Sequence, residues 1–501
     1  MSLVVGVVGA LAVLASTASA TTVRTVSSPV VAHTSPRYVS FAVDLDQITG
    51  GMFWSQAPHA TGNAPVAPYD FTRPRLRALA RALAPAYLRI SGTAANKTFY
   101  DLGSPPLTTP PGVYQRILTK TEWDHVGTFA DALGLQIVLG INAGPGPRDT
   151  SFNWTPDNAR ALLSYTAARR FPLAAVEFGN EPNLFALSGM PAGYTAADYV
   201  RDLRTFDELR RSVVPNVPLL GPGSYYNNAG SETPYGVPLG PLASQIMPAA
   251  PGVYDLLAFH EYPATSTRCH IGTPVPTDPL DPAYLDGVIR AFNRVAALGT
   301  ADDPGREIWY TEAGSASCGG QQGYSNRFEA TFWYLNALGA LAQRGLQVLI
   351  RQTLSGSDYG LIDDATLTPN PDYWAALLWH RLMGTAILRP AVRSAPARLR
   401  IYAACARAGG GTTLLALNLD PHAGHTFTIG DGARSLDVYR VTAPALLGRQ
   451  ALLNGHSLRT ASSGAPPALT PLRITGSAVS LPPASYAFIV EPGAGPAACR
   501  R

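Results

Sequence analysis

Apolar runs of strand length and patterned stretches of helix length take turns along most of this chain, and that alternation narrows its fold more than any other feature. The strand-like runs cover residues 38–45, 86–91, 135–142, 174–181, 218–223, 256–262, 307–312 and 346–352. Helical patterns lie between most of them, at 74–83, 122–133, 155–169, 196–213, 283–297 and 325–344. Eight strands alternating with helices predict an α/β fold, a (β/α)8 TIM barrel. A doubly wound sheet would be favoured by a Gly-rich dinucleotide turn after an early strand, and Arg89-Ile90-Ser91-Gly92-Thr93 is not one.

In barrels of this kind the active site assembles at the C-terminal ends of the strands. The strand bodies are mostly Val, Ile, Leu, Ala and Phe, whereas the ends carry Asp44, Asp46, Thr93, Asn142, Asn180, Glu181, His260, Tyr262, Glu312, Arg351 and Gln352. The run Ala175-Val176-Glu177-Phe178-Gly179-Asn180-Glu181 stops at Pro182, which cannot donate to a ladder. A carboxylate ending a buried strand is costly unless something compensates its desolvation. Glu307-Ile308-Trp309-Tyr310-Thr311-Glu312 repeats the pattern, a strand ending in Glu. Taken singly, either Glu reads equally well as a structural carboxylate paired with an Arg. Together, on strands four and seven, they match what glycoside hydrolysis requires: one group protonates the leaving oxygen and the other attacks the anomeric carbon. That chemistry needs only two carboxylates and water, so neither a metal nor an organic cofactor is implied.

The helical pattern at 371–383 closes the barrel, and beyond residue 390 the texture changes. Short strands at 399–406, 412–418, 425–429, 435–441, 472–474 and 485–490 follow without helices between them, which predicts a β-sandwich. The expected division is a barrel at 38–388 and a sandwich at 389–501, with 21–37 able to add a strand to the latter. Residues 1–20 read as a secretory signal peptide, an apolar run from Leu3 to Leu14 before Ala18-Ser19-Ala20, and predict a secreted protein. No later run reaches the roughly 18 apolar residues of a membrane-spanning helix, so no stable membrane anchor is expected. The net charge of +4 is too small to argue for a nucleic-acid partner. Four cysteines in a secreted chain suggest two disulfides, for which three pairings exist. Cys405 and Cys499 lie near the C-terminal end and Cys269 and Cys318 in middle loops, so those two pairs are expected. None has the close spacing of a zinc site. Asn96-Lys97-Thr98 and Asn153-Trp154-Thr155 are glycosylation sequons.

The motifs resemble glycoside hydrolase family 79, the heparanase and β-glucuronidase family. Gly179-Asn180-Glu181-Pro182-Asn183-Leu184-Phe185 is similar to that family's acid/base motif and Trp309-Tyr310-Thr311-Glu312 to its nucleophile motif. Arg89-Ile90-Ser91-Gly92-Thr93, Arg351-Gln352 and Pro371-Asp372-Tyr373-Trp374 also resemble family segments, as does Ser485-Tyr486-Ala487-Phe488-Ile489-Val490. The resemblance implies that Glu181 is the general acid/base and Glu312 the nucleophile of a retaining enzyme acting on β-linked glucuronic acid. It implies that Asn180 binds the sugar 2-hydroxyl and that Tyr262 hydrogen-bonds the nucleophile. Asp44 and Thr93 match contacts to the glucuronate ring, and Gly319, Gly320 and Tyr359 match the cradle of its carboxylate. Gln352 and His260 join these substrate-side residues, His260 more as a structural hydrogen bonder than a proton donor. Cys318 departs from the family, which has Gly there. The basic clusters that bind heparan chains in animal heparanase have no counterpart, and neither has its excised linker. An uncut chain acting on terminal glucuronate or short oligosaccharides is expected. The competing readings are an endo-acting heparanase on heparan sulfate, a barrel glycosidase on neutral xylosides or arabinosides, and a non-catalytic glycan-binding relative.

Overall fold

The computed structural model describes residues 21–25, 28–54, 62–269, 274–430, 435–493 and 495–500; the expected signal peptide lies outside them. Eight parallel strands close a barrel: β1 (Val39–Asp44), β2 (Tyr87–Ser91), β3 (Gln136–Ile141), β4 (Leu173–Phe178), β5 (Leu219–Asn227), β6 (Leu256–Tyr262), β7 (Ile308–Ala313) and β8 (Val348–Arg351). The closing contact pairs β8 with β1. The strand ends that differ most from the sequence reading are those of β4 and β5. β4 ends at Phe178, not Glu181, because Gly179 (φ 78°) and Glu181 (φ 52°) both turn into the left-handed region. β5 runs on to Asn227, beyond the Gly-rich stretch where the sequence pattern fades.

Side chains alternate between the barrel interior and the helices outside. Ala42, Val138, Ala175, Leu220, Ala258, Trp309, Val348 and Ile350 plug the interior, while Phe41, Val43, Ile137, Leu139, Val176, Phe259, Tyr310 and Leu349 join the larger core beneath the helices. Strict alternation from Trp309 would aim Thr311 inward and Glu312 outward. The pairing of β6 with β7 slips between Phe259–Tyr310 and His260–Glu312, a bulge that reverses the phase. Such a bulge re-aims a side chain at the cost of one ladder position. It brings Glu312 to the barrel interior.

The C-terminal region is a β-sandwich. A four-stranded sheet joins Thr21–Arg24, Ala391–Arg393, His425–Ile429 and Ala478–Leu481, and it faces a nine-stranded sheet centred on Leu399–Ala406, Gly411–Asn418, Ser485–Pro492 and Ser435–Thr442. Val30–His33 and Met383–Leu388 pair at the edge of the larger sheet. The latter strand, placed with the barrel by a division at residue 388, thus belongs to the sandwich sheet. Leu414, Ala416, Ala487 and Ile489 fill the space between the two sheets. Their neighbours Leu415, Leu417, Tyr486 and Phe488 face the other way and join the barrel's core. The helix Ala330–Ala342 lies at that junction and is buried over its whole length, in keeping with its mostly apolar sequence. Both expected disulfides, Cys269–Cys318 and Cys405–Cys499, are formed.

Candidate active site

A cleft of about 760 Å³ opens at the C-terminal ends of the barrel strands. Asp44, Thr93, Glu181, Tyr262, Glu312, Gln352 and Tyr359 line it, together with Trp54, Lys97, Arg116, Leu184, Leu187, Tyr225, Tyr235 and the Cys269–Cys318 disulfide. Glu181 stands on the turn after β4, and Glu312 within β7. One oxygen of Glu181, one of Glu312 and a ring nitrogen of His260 all lie within 4.8 Å of one another.

The residue at the centre of this arrangement is Arg89 of β2, 1% exposed in a barrel strand. Its Nε donates to Glu177 Oε2 at 2.9 Å, Nη1 to Glu312 Oε2 at 2.9 Å and Nη2 to Asn180 Oδ1 at 2.9 Å. Nη2 also lies 3.2 Å from His260 Nε2. Arginine only donates, so His260 Nε2 accepts and its Nδ1 carries the hydrogen. That Nδ1 donates to Glu181 Oε1 at 3.1 Å. Burial, then the Arg89 charge, holds the His260 pKa well below its ordinary value, in accord with a neutral ring. Tyr262 donates to Glu312 Oε1 at 2.6 Å, so both Glu312 oxygens are acceptors. Burial raises the Glu181 pKa well above the usual carboxylate range, and the nearby Glu312 charge adds to it. Asp44 is raised by burial and by Asp46 and Glu312, and Glu177 by burial.

The remaining predicted residues fall around this centre. Asn180 is buried with Oδ1 engaged by Arg89, which leaves its amide N–H2 to offer to a ligand. Asp44 accepts from Asp46 N at 3.1 Å, and Gln352 Nε2 donates to it at 3.5 Å. Thr93 begins the short turn Thr93–Lys97 at the rim. Gly319 and Gly320 have φ of 82° and 76° and are packed tightly: a Cβ on Gly319 would come within 2.3 Å of Trp54 Cβ, and one on Gly320 within 2.8 Å of the Tyr359 backbone N. They form a close-fitted turn under Tyr359, not a loose one. Other strand-end residues lie outside the cleft. Arg351 turns to the helix Pro371–Leu382 and pairs with Asp372 at 2.8 Å. Asn142 braces Thr98 O and Gly144 N.

Arg89, Glu177 and Asn96 were assigned no site role from the sequence. Arg89 and Glu177 carried a signal, since a charged residue inside an otherwise apolar strand must find a partner once buried. Asn96 was read as a glycosylation sequon; it is fully buried, with Nδ2 donating to Asn180 O at 2.9 Å, and has no room for a glycan. A cation held by Glu181, His260 and Glu312 would sit against the Arg89 guanidinium, which already supplies the positive charge there. The donor set suits a proton better than a metal ion.

The sequence matches the family model described as "Glycosyl hydrolase family 79, N-terminal domain" over residues 55–339. Heparanase-like protein 1 of Arabidopsis thaliana is 30% identical, over 87% of this chain and 88% of its own length. Baicalin-beta-D-glucuronidase of Scutellaria baicalensis is 27% identical, over 94% of this chain and 92% of its own length. Among solved structures, a 4-O-alpha-L-rhamnosyl-beta-D-glucuronidase from Fusarium oxysporum shares the fold with a TM-score of 0.66 at 18% identity, covering 94% of this chain and all of that one.

Proposed function

The chain belongs to glycosyl hydrolase family 79 and is a glycoside hydrolase, and on that premise we propose that it releases β-linked glucuronic acid by double displacement, with Glu312 as nucleophile and Glu181 as acid/base. The observation that carries the mechanism is the gap between the two carboxyl groups. One oxygen of each lies within 4.8 Å of the other, which supports the ~5–5.5 Å separation of retaining enzymes over the ~6.5–9.5 Å of inverting ones. Burial favours the protonated form of Glu181, the form an acid needs. Glu312 accepts from Arg89 and Tyr262, an environment suited to a carboxylate.

In the first step a Glu312 oxygen attacks the anomeric carbon while the bond to the leaving oxygen breaks. That oxygen takes the Glu181 proton. In the second step a water gives its proton to the Glu181 carboxylate and its oxygen to the anomeric carbon, releasing Glu312. Asn180 offers its amide to the sugar 2-hydroxyl, a bond that strengthens in the transition state. His260 neither gives nor takes the proton; fixed by Arg89, it orients Glu181. Tyr359, which lines the cleft above the Gly319-Gly320 turn, is assigned the uronate carboxylate, and Asp44, Thr93 and Gln352 the ring. The names of the relatives support this glycone. The two disulfides suit folding in an oxidising compartment, which supports secretion.

Chromogenic glycosides test the assignment. The native enzyme should hydrolyse a β-glucuronide with retained anomeric configuration, read by NMR of the first-formed sugar. Glu312→Gln should lower kcat by about 10⁴-fold or more, and Glu181→Gln should spare the first step for good leaving groups. Cleavage of xylosides or arabinosides in place of glucuronides would overturn the glycone assignment. Normal turnover by both variants would overturn the catalytic one.

A further inference from the structure

The acid side of the cleft is unlike the rest of it. Leu184 and Leu187 stand on the 3-10 stretch Pro182–Ser188 that begins directly after Glu181, and Tyr225 and Tyr235 come from the end of β5 and the loop beyond it. Leu187 is 52% exposed and Tyr235 37%, and Val237 beside it is also exposed. Tyr235 lies close enough to Glu181 for that charge to act on its phenol. Beneath them Leu184, Tyr225, Tyr262 and Tyr359 form one apolar cluster, with Tyr225 stacked on Tyr262 at 5.8 Å between ring centres. The charged lining residues come from other segments of the chain: Asp46, Lys97 and Arg116 follow β1 and β2, and Arg116 is bound to Asp46 at 2.6 Å.

A general acid faces the leaving oxygen, so the leaving group occupies the side of the cleft that carries Glu181. We infer that this side is an apolar slot, formed by Leu184, Leu187, Tyr225 and Tyr235, that takes a planar hydrophobic aglycone in preference to a further sugar of a polyanionic chain. The inference rests on the proposed role of Glu181, and it names the substrate class: glucuronides of aromatic or similarly flat apolar alcohols. Among the described residues, the slot offers such a group two exposed apolar side chains that are in contact with water until it binds. None of the slot's four side chains is cationic, whereas a sulfated or uronic sugar draws its binding from cations.

Phenyl and 2-naphthyl β-glucuronides test this, because their leaving groups are of similar acidity and differ in apolar area. KM for the naphthyl compound should be about tenfold lower in the native enzyme, the value expected for burying the second ring. In Leu187→Ser and Tyr235→Ser the ratio should fall to about two, with thermal melting as the check that each variant folds. Leu187→Lys, at an exposed position, should lower it as well. Equal KM for the two compounds in the native enzyme, or a ratio unchanged in all three variants, would overturn the slot. So would faster cleavage of heparan sulfate fragments than of the naphthyl glucuronide. Running the same phenyl and naphthyl pair on xylose, arabinofuranose and galactose separates the two levels. A naphthyl preference on one of those sugars, with glucuronides inert, would overturn the glycone and keep the slot.

Discussion

At the scale of single residues, the cleft is a problem of charge sharing. Asp44, Glu177, Glu181 and Glu312 gather around the guanidinium of Arg89, and one cation does not compensate four ionised carboxyl groups in a buried site. Asp44, Glu177 and Glu181 are held above the ordinary carboxylate range, each first by burial. The Asp44 charge is one cause of the rise at Glu181, and this gives a pH prediction. A raised acid stays protonated, and therefore active, to higher pH than an ordinary Glu; removing a neighbouring negative charge lowers it again. Asp44→Asn should move the alkaline limb of the kcat/KM profile to lower pH by about half a unit or more. The limb belongs to the coupled set, so the comparison is of whole profiles between native and variant enzyme. An unmoved limb would mean that Asp44 does not act on the proton donor. Arg89 was visible in the sequence as a charge inside a strand, but its four partners come from β4, the turn after β4, β6 and β7. Nothing near it in the chain names them.

At the scale of elements, most of the architecture was legible. The helix Ala196–Val213 and strand β6 fall where the periodicity placed them, because each buries one continuous face and ends on clear local signals. Thr195 accepts from Asp198 N while Asp198 reaches back to the Thr195 N–H, a capping box that fixes the first turn. Elements whose environment changes along their length were less legible. The bulge that turns Glu312 inward exists only as a mismatch between two strands, so no window within β7 reveals it. Helix Ala330–Ala342 is buried on every face, and which neighbours cover each face, barrel helices or sandwich strands, is decided by the tertiary packing. Gly339 marks one such contact: a Cβ there would come within 2.3 Å of the Tyr402 ring, whose hydroxyl donates to Asn336 Oδ1 at 2.6 Å. Gly339→Val should push that ring aside and destabilise the protein by about 1–3 kcal/mol, despite valine's larger apolar surface. Chemical denaturation measures this, and a neutral or stabilising result would show that the junction has room to relax.

At the scale of the whole molecule, barrel and sandwich share one core, since the central strands of the larger sheet bury both faces. Glu329 sits where the two meet. Its backbone N–H donates to Leu446 O of the sandwich, and its carboxyl oxygens have no hydrogen-bond partner among the described residues. Burial, reinforced by Asp278 and opposed by Arg327, pushes its pKa up from 4.5 to about 9. With a folded value above the unfolded one, the folded state binds the extra proton, so stability falls as pH rises from about 4.5 toward 9. Glu329→Gln should therefore raise Tm at pH 8 by about 2 °C or more and leave it little changed at pH 4, as read by scanning calorimetry. Equal shifts at both pH values would mean that the effect is steric. The order of strands and helices, the two domain types and both catalytic candidates follow from the sequence by itself, because periodicity, strand-ending carboxylates and motif likeness are local. Only the tertiary structure decided that Arg89 joins Glu177, Glu312 and Asn180, that Asn96 is buried, and that Glu181 and Glu312 stand within 4.8 Å of each other. Those distances depend on how eight strands close, on one bulge and on a left-handed turn at Glu181. Such quantities sum over the whole barrel and reside in no single stretch of chain.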